Sequence, residues 1–143
     1  NGVNVQTGRA ATGKDGGSWL ILSGSMYSYL DPSKAQEFAM DQGQMLNLAQ
    51  TFQDSLEKDL ASLHSALASQ EAEPVQRLLH SLKGYVTFLC GPELSQQMIQ
   101  LEAMSRAKHL AELAVEIDKA IPPLQSLLSE VGQWIEKDLK PAT

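Results

Sequence analysis

The sequence predicts an all-α protein: an antiparallel four-helix bundle with an N-terminal helical extension and a flexible leader. Three observations carry that expectation. Beyond residue 31 apolar residues recur at three- and four-residue steps, the spacing that lines them up on one face of a helix. Of the 143 residues, 43% are apolar but only 6% aromatic, a composition suited to aliphatic helix packing around a single core. The stretches between the periodic segments are short, so consecutive helices must run antiparallel to bury their stripes.

Residues 1–18, NGVNVQTGRAATGKDGGS, hold five glycines and no periodic apolar face, which reads as a flexible linker. Those glycines match neither the P-loop nor the dinucleotide-binding spacing. WLILSGSMYSYL, residues 19–30, is apolar but interrupted by Ser and Gly; strand, docking segment and irregular lead-in all remain open. Residues 1–30 are therefore expected as a leader ahead of a domain spanning 31–139. Asp31 as N-cap and Pro32 at the first helical position predict a short helix to about Gln42.

Met45, Leu48, Phe52, Leu56, Leu60, Leu63 and Leu67 then mark a long helix over 44–69. SQEAE makes a turn, and Pro74 opens a helix carrying Val75, Leu78, Leu79, Leu82, Val86 and Leu89. Gly91-Pro92 ends it and starts a third helix, with Leu94, Met98 and Leu101 inward, ending near Ala107. The last segment steps through Leu110, Leu113, Ile117, Ile121, Leu124, Leu128, Val131 and Ile135. Pro122-Pro123 predicts a kink or break there, but the apolar phase continues across it, favouring one kinked arm.

Charge and composition exclude several function classes. Eleven Lys and Arg against 17 Asp and Glu give a net charge of −6, which argues against nucleic acid or an anionic membrane as the main partner. The lone Cys90 rules out an internal disulfide and suits a reducing, cytoplasmic compartment. No apolar run approaches the roughly 18 residues of a membrane span. The chain opens on Asn1 rather than methionine, as a piece of a longer protein would. His64, His80 and His109 do not share metal-ligand spacing, so neither a metal site nor an intrinsic cofactor is expected. No nucleotide-binding glycine motif supports autonomous kinase activity.

One helix face stands apart. At about 100° per residue, His80 lies roughly 160° from the centre of the stripe Val75, Leu79, Leu82, Val86 and Leu89. Around it on the outward face fall Gln76, Arg77, Lys83, Gly84, Thr87 and Gly91, with Phe88 at its edge as an apolar docking residue. Glycine inside a helix costs about 1 kcal/mol relative to alanine. Gly84, one turn beyond His80, has a reason to be there if it leaves the imidazole uncovered, because helical side chains lean toward the N-terminus. Neutral imidazole is a nucleophile at cytoplasmic pH, and a phosphoryl group on it would be balanced by Lys83 and Arg77 on the adjacent turns. The chemistry indicated is phosphoryl transfer.

HSLKG, His80 to Gly84, resembles the phosphorylation motif of histidine-containing phosphotransfer (Hpt) domains of bacterial and fungal phosphorelays. The likeness extends over roughly residues 44–135 and includes the pair Leu101-Glu102. It implies a helical bundle in which His80 takes the phosphoryl group from a receiver-domain aspartate and passes it to another. Lys83 then stabilises that group, and Gly84 admits the partner. It further implies Mg2+ on the partner receiver and a place as the C-terminal module of a hybrid sensor kinase, tethered to the inner membrane through that larger chain. Two departures are visible: Tyr85 and Val86 stand where the family has small residues, and a glycine common one residue earlier is shifted to Gly91. By their angle Val86 and Tyr85 alter packing rather than the His80 surface.

Plainer readings suit the other residues. His64 borders its apolar stripe, and His109 sits near a turn. Cys90 packs at a helix end, and Met40, Met45, Met98 and Met104 fill gaps. Two further functions compete for the whole chain. One is an Hpt-like module that docks a receiver or other partner without carrying phosphate. The other is a helical oligomerisation unit, which accounts for the leucine stripes but leaves Gly84 unexplained.

Overall fold

A computed structural model of the protein describes residues 27–38 and 41–141. The proposed linker up to residue 26, and Met40, lie outside the described residues. Among the described residues five α-helices follow in order: α1 (Pro32–Ala35), α2 (Gln42–Ala68), α3 (Ala72–Val86), α4 (Pro92–Ser105) and α5 (Leu110–Trp134), with α5 running into a π-helical turn, Ile135–Leu139. Among the described residues there is no strand, only an isolated bridge between Leu30 and Cys90. The expected all-α bundle is thus the observed one.

Helices α2 to α5 form the bundle, each packed on the next and α5 closing against α2. Its core is the set of stripes read from the sequence: Met45, Phe52, Leu56 and Leu63 from α2, Val75, Leu79, Leu82 and Val86 from α3, Leu94, Met98 and Leu101 from α4, and Leu113, Ile117, Leu124 and Val131 from α5 are all buried. Ala49, Ala66 and Ala120 lie buried among them, small residues that let neighbouring helices approach. Helix ends follow local chemistry. Asp41 caps α2, its Oδ1 accepting from the backbone N–H of Gln44 at 2.8 Å, so the helix starts two residues before the expected Gln44. Gln70 ends it in the left-handed region at φ 56°, and Glu71 N–H reaches back to Ala66 O at 3.0 Å, a Schellman-type close.

The first helix is shorter than predicted. After Ala35 the chain continues in tight turns, with Glu37 N–H on Lys34 O and Phe38 N–H on Ala35 O. Helix α5 passes through Pro122 and Pro123 without a break. The prolines sit on its exposed and half-exposed sides, where a missing backbone donor leaves only a solvated carbonyl, and Ile117, Ala120, Leu124 and Leu127 keep the buried phase.

The boundary expected at Asp31 falls inside a packed segment. Of the open readings for the lead-in, docking describes its last residues. The Glu130 carboxylate on α5 accepts from three successive backbone N–H groups, those of Ser28 (3.0 Å), Tyr29 (2.9 Å) and Leu30 (2.9 Å). Leu30 is buried in the core. The same segment covers the end of α3: Asp31 N–H donates to Leu89 O at 2.7 Å, Gly91 N–H donates to Tyr29 O at 2.9 Å, and Lys34 Nζ donates to Thr87 O at 2.6 Å and Cys90 O at 2.8 Å. The ammonium on Thr87 O, at the C-cap of α3, satisfies a carbonyl that has no partner within the helix and complements the helix dipole. The helix that carries His80 is therefore anchored at its C-terminal end by the lead-in.

Candidate functional site

Helix α3 buries one stripe and leaves the opposite side in water, and His80 stands on that outer side with its side chain 71% exposed. Its ring is nevertheless held. Nδ1 lies 3.2 Å from Oε2 of Glu102 on α4. An ionised carboxylate only accepts hydrogen bonds, so Nδ1 carries the proton, and the Nε2 lone pair is left on the far side of the ring.

Glu102 is the buried member of this group, with its side chain 7% exposed. Arg106, one turn along α4, pairs with the same Oε2, and Lys83 Nζ on α3 lies 3.7 Å from Oε1. A buried charge persists only when it is paired and hydrogen-bonded. These partners, the Arg106 hydrogen bond foremost, hold the Glu102 carboxyl below the ordinary glutamate value of 4.5 against the opposing effect of burial.

The predicted site residues divide around His80. Lys83, half-buried, lies on the flank facing α4, and Gln76, half-buried, lies about two turns earlier on the same flank. Gly84 is exposed, and a Cβ built on it would meet nothing within 4 Å. No neighbouring helix requires a glycine there. Thr87, half-buried, turns its Oγ1 onto Lys83 O at 2.9 Å. Phe88 is 51% exposed and stacks at a tilt on Phe38, itself 55% exposed, with ring centroids 5.1 Å apart. Gly91 is the N-cap of α4 and is bonded to Tyr29, so it serves the turn beneath the lead-in rather than the His80 surface.

Arg77 is the other cation expected beside His80. It lies on the opposite flank from Lys83, 3.7 Å from Glu73, and lines a groove of about 400 Å³ between α2 and α3 with Ser62, Ser65, Glu71, Pro74 and Leu78. The second cation tied to His80 is Arg106, through Glu102. The sequence held a signal for it. Glu102 follows Leu101 and sits four residues after Met98, on the buried phase of α4, and a buried glutamate requires a cation, here supplied at the i+4 position.

Tyr85 explains one departure from the motif. Its hydroxyl donates to Asp59 Oδ2 on α2 at 2.8 Å and its ring packs edge-on against Phe52, so it ties α3 to α2 away from His80. Burial and the Asp59 carboxylate push its hydroxyl pKa well up, keeping it a donor. Among the described residues no group of three or more His, Cys, Asp or Glu is arranged to hold a metal, and no helix is long and apolar enough to cross a membrane.

The family model of the Hpt domain matches residues 47–135, more than half of the chain, which therefore belongs to the Hpt family. Hpt domains serve histidine phosphotransfer in two-component phosphorelays, where they interact with receiver domains. No curated protein and no solved structure gives a match.

Proposed function

We propose that the protein is a phosphorelay intermediate in which Nε2 of His80 accepts a phosphoryl group from a receiver-domain aspartyl phosphate and passes it to the aspartate of another receiver. The observation that carries this reading is the exposed imidazole with Nδ1 held by a buried carboxylate, beside a glycine whose surroundings are open. The Nε2 lone pair attacks phosphorus, the bond from phosphorus to the aspartyl oxygen breaks, and its electron pair stays on the departing carboxylate. The ring, neutral before attack, gains one positive charge and keeps its Nδ1 proton. Glu102, 3.2 Å away, offsets that charge without having to reorganise, which is the way positioned electrostatics lower a barrier of this type.

Lys83 supplies a mobile point charge for the phosphoryl oxygens. Gly84 and the small Thr87 surface leave room for the receiver, and Gln76 and Phe88 border the docking face. The receiver would bring the aspartate and its Mg2+, and this chain would contribute the positioned nucleophile. On the same reading the domain works at the cytoplasmic side, as the relay module of a hybrid sensor kinase whose other domains load the receiver.

The test is incubation with a panel of phosphorylated receivers, reading acid-labile phosphate on this chain. Label is expected on the wild type, on His64→Gln and on His109→Gln, and not on His80→Gln, whose helical content should be unchanged because His80 is off the apolar stripe. Equal labelling of His80→Gln would refute the assignment. Receiver binding without label on any variant would favour the docking module that carries no phosphate.

A further inference from the structure

Nδ1 of His80 and the Lys83 ammonium both draw on Glu102, yet the proposed transfer asks Lys83 to turn toward a phosphoryl group on Nε2. If Lys83 were the sole cation on Glu102, that movement would strand a buried carboxylate without compensation. Arg106 removes the conflict. It sits at the C-cap of the helix that carries Glu102, four residues on, and holds Oε2, the oxygen that also accepts from Nδ1.

We propose that Arg106 is a positioning residue for His80. By keeping Glu102 paired from the C-cap of α4, it holds the carboxylate on Nδ1 while Lys83 is released, and so directs phosphorylation to Nε2. The proposal rests on the acceptor reading of His80 and adds a residue that never touches the reacting atoms. Three groups face Glu102, and each has a separate place in it. His80 Nδ1–H is the group oriented. Lys83 is the cation that can leave. Arg106 is the cation that stays, since it lies one turn beyond Glu102 on the same stretch of chain, on the carboxylate oxygen that also takes Nδ1–H, and has no phosphoryl group to serve. Burial makes the arrangement necessary: a solvated carboxylate would tolerate the loss of either cation, because water would replace it.

The experiment uses imidazole 15N NMR on the unphosphorylated protein, which reads the tautomer directly, together with single-turnover transfer from a phosphorylated receiver. Wild type should show a protonated Nδ1 and a bare Nε2. Arg106→Ala should show the two nitrogens drawn toward an averaged, mixed-tautomer pattern and transfer slowed about tenfold, the worth of roughly one charge-assisted hydrogen bond. Arg106→Lys should restore both. Arg106 is 56% exposed, so its loss opens no cavity. Glu102→Leu removes the acceptor itself and should also mix the tautomers. A wild-type nitrogen pattern in Arg106→Ala would overturn the proposal. Failure of the wild type to accept phosphate would overturn the acceptor reading instead, and the nitrogen pattern would still judge Arg106.

Discussion

Gly84 separates stability from function, and its substitutions measure that separation. It lies in the last turns of α3, and a Cβ there meets nothing within 4 Å. Gly84→Ala therefore gains helix propensity with no steric cost. Full interior value is about 1 kcal/mol, and the nearby helix end reduces it to about 0.5–1 kcal/mol. For a domain of this size that raises Tm by about 2–4 °C. Gly84→Gln should gain nearly as much stability, since glutamine is also a good helix former. Its side chain, four residues after His80, leans back over the imidazole. A displacement of about 1 Å in the reacting geometry can cost about 10²-fold in rate, and a loss of that order in single-turnover transfer is expected. Thermal melting and transfer from a phosphorylated receiver are read on the same samples. Transfer by Gly84→Gln at the wild-type rate would refute the argument that the glycine provides access. Unfolding of Gly84→Gln would refute the open surroundings on which the stability gain depends.

Lys83→Ala should slow transfer or shorten the lifetime of the phosphorylated form while leaving Tm nearly unchanged, because Arg106 still pairs Glu102; phosphate decay and melting curves check it. Glu102 has a lowered carboxyl pKa, so its contribution to stability is present above the ordinary glutamate value and is lost as pH falls through the lower folded value. Glu102→Gln should therefore melt below wild type at neutral pH, by about 1–2 kcal/mol given partners that are partly solvated. The difference should shrink as pH is taken below about 4, as a series of melts would record. Lys34→Met keeps the aliphatic stem but strands the Thr87 and Cys90 carbonyls; a loss of about 1–3 kcal/mol is expected, with faster amide exchange at the end of α3.

What the sequence determined by itself is whatever a single helix encodes. The stripes of α2 to α5 depend on residues three and four apart, so the core and bundle class could be read before any packing was known, and so could the outward placement of His80, Lys83 and Gly84. The helix proline pair was harder, because a missing donor disrupts a helix only where nothing else supplies its geometry, and the packed stripe on the other side of α5 does. Tertiary structure decided what spans helices. His80 and Glu102 are 22 residues apart, Glu130 meets the lead-in from about 100 residues away, and Lys34 caps a helix more than 50 residues downstream. Arg77 and Arg106 are equally plausible cations by composition, and only the packing of α4 against one flank of α3 selects Arg106. The physical reason is range. Helix periodicity is local, whereas the pairing of a buried charge is settled by whichever neighbour the fold brings within hydrogen-bonding distance.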